Sequence, residues 1–153
     1  QEFLNAYFNT FTRLAEYLEE TKSLARESGY TETMFGRRRH FAGITSSVPF
    51  IRAQAERMAI NAPIQGTGAD CMRVAMKQIH DYIEGLPKSD DVRMLLQVHD
   101  ELVFEIKEGE VKKVVPELVK LMEVALGEKE SHGVPLVADV KVGADWNNMS
   151  ELQ

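Results

Sequence analysis

The sequence predicts an α+β fold in which an antiparallel sheet, carrying a polar hairpin, is covered by helices on one side. Apolar residues recur at helical spacing in several segments, and two β-rich segments flank a polar turn within residues 92–106. Of the 153 residues, 44% are hydrophobic and 27% are charged, as in soluble globular proteins. A chain of this length fits one domain, or one lobe of a larger one.

A helix followed by a basic hairpin is predicted first. One amphipathic helix is expected over residues 1–28, with Gly29 as its end. Its apolar side chains recur at three- and four-residue spacing, at Phe3, Tyr7, Phe11, Leu14 and Leu18. Residues 30–33 and 38–41 are expected to be extended, with Gly36 in the turn between them.

Two helices separated by a break at Pro63 are predicted next. Ser46 and Ser47 can cap the first helix, and the second is expected to run from about Gly66 to Ile83. The break is expected because proline lacks the amide hydrogen that a helix interior requires.

A hairpin, a helix and a final strand are predicted in the rest of the chain. Strands are expected at 92–98 and 102–106, a helix at 110–126 with Pro116 inside it, and a last strand at 136–142. These predictions rest on apolar periods of about two residues for the strands and 3.6 residues for the helix.

The net charge of −6 is unevenly distributed along the chain. Residues 37–77 contain seven basic and two acidic side chains, a local charge of +5, whereas residues 81–153 contain eight basic and sixteen acidic ones. A basic segment can attract phosphate while the rest of the surface stays acidic, so nucleic acid is a candidate partner despite the negative total.

Neither a membrane partner nor secretion is expected. The apolar runs are only a few residues long, far short of the roughly 20 that span a bilayer, and no secretion leader opens the chain. The single Cys71 cannot form an internal disulfide or a cysteine-cluster metal site. A cytoplasmic location is therefore predicted.

The stretch from Gln97 to Glu105 is the most informative candidate site. Three ionisable residues, His99, Asp100 and Glu101, interrupt apolar β-forming residues at a strand junction. A carboxylate pair is costly to bury unless a divalent cation compensates, and oxygen ligands favour Mg²⁺. A plain polar turn is the alternative, since Asp is common in hairpin loops. An HD-type phosphohydrolase would need further His and Asp ligands in series, and the other histidines are scattered singly.

A row of polar side chains runs along the predicted helix pair. Arg57 and Asn61 lie four residues apart on one face, and Gln65 comes just after the predicted break. An arginine and two amides can donate to minor-groove acceptors and sugar oxygens, a contact largely independent of base sequence. A solvated polar face is the alternative interpretation.

Three consecutive arginines, Arg37, Arg38 and Arg39, follow Gly36 in the predicted hairpin. The triplet is similar to a phosphate clamp, because a guanidinium donates hydrogen bonds in a planar fork. Basic triplets are also frequent on ordinary protein surfaces.

Together these segments resemble the C-terminal palm region of family A DNA polymerases of the bacterial type, nearly end to end and in order. The matching segments are 33–39, 55–67, Ala69 with Asp70, 97–103, and the closing pattern of Pro135, Leu136, Gly143 and Trp146. The resemblance implies a late-palm fold and template-directed transfer of a nucleotide from a dNTP to a primer 3′-hydroxyl. It also implies two Mg²⁺ ions.

The resemblance further implies individual roles. Asp100 would be a catalytic metal ligand, Glu101 its weaker or indirect helper, and His99 would lie near the primer terminus. Six residues would contact the template–primer duplex: Arg57, Asn61 and Gln65 along the minor groove, and Arg37, Arg38 and Arg39 near template or primer phosphates.

Two parts of that family's site are missing from the sequence: the earlier metal-binding Asp motif and the fingers helix that binds the nucleotide. We therefore expect a palm fragment with regions at 1–45, 46–86 and 87–153, which needs the N-terminal part of the same polymerase to complete its two-metal site and is inactive alone. A non-catalytic duplex DNA-binding module and a plain α+β domain with a structural hairpin are the alternatives. The resemblance favours repair and gap filling in the bacterial cytoplasm or nucleoid.

Overall fold

The computed structural model describes residues 2–152 as helices and short antiparallel hairpins, which divide into two compact units after Gly68. The helices are α1 (Glu2–Thr10), α2 (Thr12–Ser28), α3 (Pro49–Glu84), α4 (Val111–Glu123) and α5 (Glu128–Ser131), with 3₁₀ turns at Ser89–Asp91 and Glu108–Glu110. The strands are β1 (Tyr30–Glu32), β2 (Arg38–His40), β3 (Val92–Val98), β4 (Glu101–Ile106), β5 (Lys141–Gly143) and β6 (Met149–Glu151). The predicted α+β class is confirmed, although the strands form three separate two-stranded sheets instead of one.

The predicted single helix at the start of the chain is wrong, because Phe11 separates α1 from α2. Its backbone, at φ −107° and ψ 63°, leaves the helical region, although apolar spacing continues across the break. Periodicity alone therefore could not separate two helices from one. The predicted end is confirmed: Gly29 adopts φ 79° and donates its amide to the carbonyl of Ala25 at 2.9 Å.

The first unit contains the predicted basic hairpin, β1 and β2, paired from Tyr30 with His40 to Glu32 with Arg38. A small apolar core lies in this unit, with many alanines that allow close packing of α3. Its buried members are Ala25, Phe41, Ile44, Ala55, Ala59 and Ala62.

The predicted break at Pro63 is also wrong, since α3 continues through this residue. Proline removes the hydrogen bond that its amide would have donated to the preceding turn, and its ring crowds the carbonyl of Ala59 there. Ala59 and Ala62 are both buried in the core of the first unit, so packing holds the turn before the proline in helical geometry. The Thr67 hydroxyl donates to the Pro63 carbonyl at 2.6 Å, which links the following turn to it.

The second unit is built on the β3–β4 hairpin and α4, and both predictions are confirmed. Its buried core joins the end of α3 to these elements through Ile79, Ile83, Val92, Val114 and Leu118. Leu102, Phe104 and Ile106, on alternate positions of β4, pack against that core.

The last strand predicted at 136–142 is confirmed only at its end, because β5 begins at Lys141. Strands β5 and β6 pair over Lys141–Gly143 and Met149–Glu151, and residues 134–140 have no regular structure. The alternating apolar residues there do not pair with another strand. The Ala138 amide instead donates to the Glu123 carboxylate at 3.2 Å, and the Val137 side chain is 76% exposed. Among the described residues, no helix is long and apolar enough to cross a membrane.

Candidate functional site

The β3–β4 hairpin turns through two residues, His99 and Asp100. Val98 pairs with Glu101 at the base of this turn, so Glu101 is the first residue of β4 and not part of the loop. His99 adopts φ 54°, a left-handed conformation that few non-glycine residues take, and Asp100 does not share the positive φ. A positive φ at the first loop residue alone is the pattern of a type II′ turn, which matches the twist of the paired strands.

Asp100 and Glu101 are both exposed at the tip of the hairpin. Leu102 and Phe104 face the core, so Glu101 and Glu105 lie on the other face of β4. Two adjacent carboxylates can supply the one or two ligands that proteins give to Mg²⁺, the others being water or phosphate. Nowhere in residues 2–152 do three or more potential ligands of the His, Cys, Asp or Glu type form a metal-binding group.

A β-bulge in β3 changes which residues face outward near the turn. The register shifts between Met94 and Leu96, and beyond that point Leu96 pairs with Val103 and Gln97 with Leu102. The extra residue reverses the in–out alternation of the last part of β3. Leu95 and Leu96 are both about half exposed as a result.

The predicted polar row Arg57, Asn61 and Gln65 is exposed on α3 in the first unit. The buried side of the same helix carries Ala55, Ala59 and Ala62. At 100° per residue these alanines lie on the side opposite Arg57 and Asn61, with Gln65 at the flank. The row is therefore displayed on the solvent side of a helix whose other side is packed.

The loop between β1 and β2 is fixed against α3 by hydrogen bonds that the sequence analysis missed. The Met34 amide donates to the Thr67 hydroxyl at 3.1 Å, and the Arg37 guanidinium donates to the Gly66 carbonyl at 3.0 Å. Within the loop, the Thr33 hydroxyl accepts the amides of Phe35 and Arg37, each at 3.2 Å. The only sequence signal for this docking was Gly66, whose missing side chain permits close approach.

The three arginines of the triplet have different surroundings. Arg38 lies across the hairpin from Glu32, with Nε donating to the carboxylate at 2.5 Å and its guanidinium 4.6 Å from the centre of the Tyr30 ring. This hydrogen bond to Glu32 raises the pKa of Arg38 above its ordinary value. Arg39 lies over the Phe41 ring at 5.5 Å. Arg38 is paired with the Glu32 carboxylate whereas Arg39 lies over an aromatic ring, so the arginines of the triplet are not equivalent.

A cavity of about 200 Å³ brings together candidates that the sequence had placed in separate motifs. Arg37 and Arg39 from the hairpin line it with Gln65 from α3, over a floor that includes Ala62 and Gly66. Arg57 and Asn61 lie on the same helix but do not line this cavity. His99, Asp100 and Glu101 belong to the second unit.

Cys71 and its neighbour Asp70 are buried ionisable residues outside these sites. Cys71 is buried on α3 beside Ala75 and Ala125. Burial raises the pKa of its thiol, and the neighbouring Asp70 carboxylate raises it further. Asp70 itself forms an ion pair with Arg73 at 3.2 Å. This surrounding makes Cys71 a packing residue and a poor nucleophile.

Residues 1–148 match the sequence profile of DNA polymerase family A. DNA polymerase I of Rhizobium leguminosarum is 44% identical over 146 residues, which are 95% of this chain and 14% of that protein. The thermostable DNA polymerase I of Thermus aquaticus is 38% identical over 151 residues, or 99% of this chain and 17% of the relative. The chain thus spans less than a fifth of the length of these relatives.

A solved structure supports the same relationship at the level of the fold. The POL domain of Pol1 from M. smegmatis, in complex with DNA primer-template and dNTP, superposes with a TM-score of 0.73 at 42% sequence identity. The similarity covers 80% of this chain and 21% of that one.

Proposed function

This chain belongs to DNA polymerase family A, and on that premise we propose that it serves template-directed transfer of a nucleotide from a dNTP to a primer 3′-hydroxyl. The observation that carries the proposal is the family match over residues 1–148 together with the His99–Asp100–Glu101 turn displayed at the tip of a hairpin. Template–primer duplex and dNTP are the proposed partners, as in the complex of the M. smegmatis relative.

We assign Asp100 and Glu101 to metal binding. Both carboxylates are exposed, adjacent and hard oxygen donors, which suits Mg²⁺ with part of its shell left to water and phosphate. When bound, Mg²⁺ neutralises charge that develops on the phosphates and makes the primer hydroxyl more acidic. Since residues 2–152 contain no group of three potential ligands, further ligands would come from elsewhere in a longer polymerase.

We assign His99 to the primer terminus, because it immediately precedes the proposed metal ligand and is exposed at the same turn. Its conformation is held by the turn, so its imidazole is presented from a defined backbone position. It would hydrogen-bond to the terminal nucleotide or stack on it, and so orient the reacting hydroxyl. Enzymes commonly accelerate reactions by holding reacting groups in the right geometry.

Duplex binding is assigned to the first unit. Arg57, Asn61 and Gln65 form an exposed row of hydrogen-bond donors suited to the minor groove, where acceptor positions are similar for all base pairs. Arg37 and Arg39 line the cavity beside Gln65, which suits a backbone phosphate. Arg38 would contribute less, because its charge is paired with Glu32.

For the isolated chain, a second function is favoured by one observation. Without a three-ligand group among the described residues, the 153 residues on their own are proposed to bind duplex DNA without catalysing extension. The measurement is primer extension by the purified chain in Mg²⁺, beside a binding assay on the same duplex. Nucleotide incorporation by the chain alone would contradict this proposal.

The test of the catalytic assignment is primer extension by the full gene product and its Asp100→Asn variant. Asp139→Asn is the matched control, because Asp139 is an exposed aspartate in the irregular segment before β5. We expect D100N to bind the primer–template as tightly as wild type and to lose extension by several orders of magnitude, whereas D139N keeps both. Equal extension by D100N and D139N would show that Asp100 is only a turn residue.

A further inference from the structure

The side chain of Gln97 is bonded to the turn that presents Asp100. Its amide nitrogen Nε2 donates to the carbonyl oxygen of His99 at 2.8 Å. That carbonyl belongs to the peptide unit joining His99 to Asp100. Gln97 therefore holds the central peptide of the two-residue turn, although it lies in β3 and its own backbone pairs with Leu102.

The orientation of this peptide decides the backbone conformation of Asp100. Type I′ and type II′ turns share a positive φ at the first loop residue and differ by a rotation of the central peptide, which makes φ of the second residue positive in type I′. Here His99 has φ 54° and Asp100 does not have positive φ, which is the φ pattern of the II′ form. Aspartate is among the residues that tolerate positive φ, so the I′ form is a real competitor.

We propose that Gln97 is a positioning residue for the metal ligand Asp100: it holds the His99–Asp100 peptide in the II′ orientation and so sets the direction in which the Asp100 carboxylate leaves the backbone. This inference rests on the proposed metal site. Without the bond, the peptide would sample both orientations, and only part of the molecules would present Asp100 and Glu101 to the cation together. Apparent metal affinity falls by the fraction of molecules that are competent.

The test is the affinity of the full gene product for Mn²⁺ in its primer–template complex, measured from the electron paramagnetic resonance signal of free Mn²⁺. Gln97→Met keeps the length of the side chain and removes the donor. One neutral hydrogen bond corresponds to a loss of about two- to tenfold in affinity. Gln54→Met, at an exposed glutamine of α3, is the matched control and should bind Mn²⁺ like wild type.

A second variant separates positioning from a general structural defect. Glycine at the first loop residue favours the II′ turn by itself. In the His99→Gly background, adding Gln97→Met should therefore change Mn²⁺ affinity by less than about twofold. Because His99 is proposed to touch the primer terminus, this comparison is read in Mn²⁺ binding and not in extension rate.

The outcomes distinguish the inference from the function it rests on. If Asp100→Asn leaves Mn²⁺ affinity unchanged, the proposed metal site fails. If D100N weakens binding but Q97M does not, the site stands and the positioning role of Gln97 is wrong. An equal loss from Q97M in the wild-type and H99G backgrounds would also overturn it, because the effect would then be independent of turn conformation.

Discussion

The Arg37 guanidinium donates a hydrogen bond to the Gly66 carbonyl, 3.0 Å away, and so ties the β1–β2 loop to α3. Gly66 permits this approach because it has no side chain. A Cβ at this position would lie 2.6 Å from the Thr33 methyl group and 3.3 Å from the Arg37 guanidinium. The position of the basic hairpin beside Gln65 thus depends on one glycine.

Gly66→Ala is expected to destabilise the protein even though alanine is the better helix former. The overlap with Thr33 must displace a loop that is hydrogen-bonded at several points, at a cost of about 1–3 kcal/mol. Gly68→Ala is the control, because a Cβ there meets nothing within 4 Å, and it should stabilise by up to about 1 kcal/mol. Urea unfolding of both variants measures the difference, and equal midpoints would contradict the docking of the loop.

Arg39→Ala is expected to weaken duplex binding more than Arg38→Ala. Arg39 lines the cavity with Gln65, whereas the Arg38 guanidinium is already bonded to Glu32. Loss of one phosphate contact should reduce the slope of log affinity against log salt by about 0.9. Fluorescence anisotropy of a labelled primer–template over a range of salt concentrations measures this slope. An equal reduction of the salt slope in both variants would show that the ion pair with Glu32 does not keep Arg38 from contacting a phosphate.

Glu101→Gln is expected to raise the Mg²⁺ concentration needed for half-maximal extension. As the weaker of the two proposed metal-binding carboxylates, Glu101 should change metal affinity or activity by about 10- to 100-fold, the range typical of residues that support the ligands of a metal site. Glu105→Gln is the matched control, since Glu105 lies on the same face of β4 but is paired with Arg93, at 4.0 Å. A Mg²⁺ titration of the full gene product compares them, and equal shifts would indicate a general effect of charge on the hairpin.

Because of Cys71, the free energy of unfolding is expected to fall as the pH rises above the ordinary pKa of a thiol. Burial raises the pKa of Cys71, so between the unfolded pKa, about 8.5, and the higher folded one, the folded state retains a proton that the unfolded state has lost. The contribution of Cys71 to the free energy of unfolding is fully present below its unfolded pKa. It is lost as the pH rises from the unfolded pKa through the folded one. Urea unfolding from pH 7.5 to 9.5 should show a flatter pH dependence for Cys71→Ala, and parallel curves would contradict the shift.

Local patterns predicted most of the secondary structure, and their errors have physical causes. The β3–β4 hairpin and α4 were predictable because β-branched and apolar residues there follow the periods of the elements they form. The break predicted at Pro63 was wrong because the burial of Ala59 and Ala62 holds the helix despite the lost hydrogen bond and the crowding by the proline ring. The strand predicted at 136–142 failed over residues 136–140 because alternation does not create a partner, and Ala138 bonds to the Glu123 side chain instead.

The sequence by itself determined the chemistry available to this protein: which residues carry the carboxylates, the donor row and the guanidinium groups, and the motif order that marks the family. Only the tertiary structure decided which of them meet. Gln65 joins Arg37 and Arg39 in one cavity because the loop docks on Gly66, and the Gln97 side chain bonds to the His99 carbonyl in the turn that presents Asp100. Both relationships depend on single hydrogen bonds or close contacts between side chains and backbone, which have no periodic signature in a sequence.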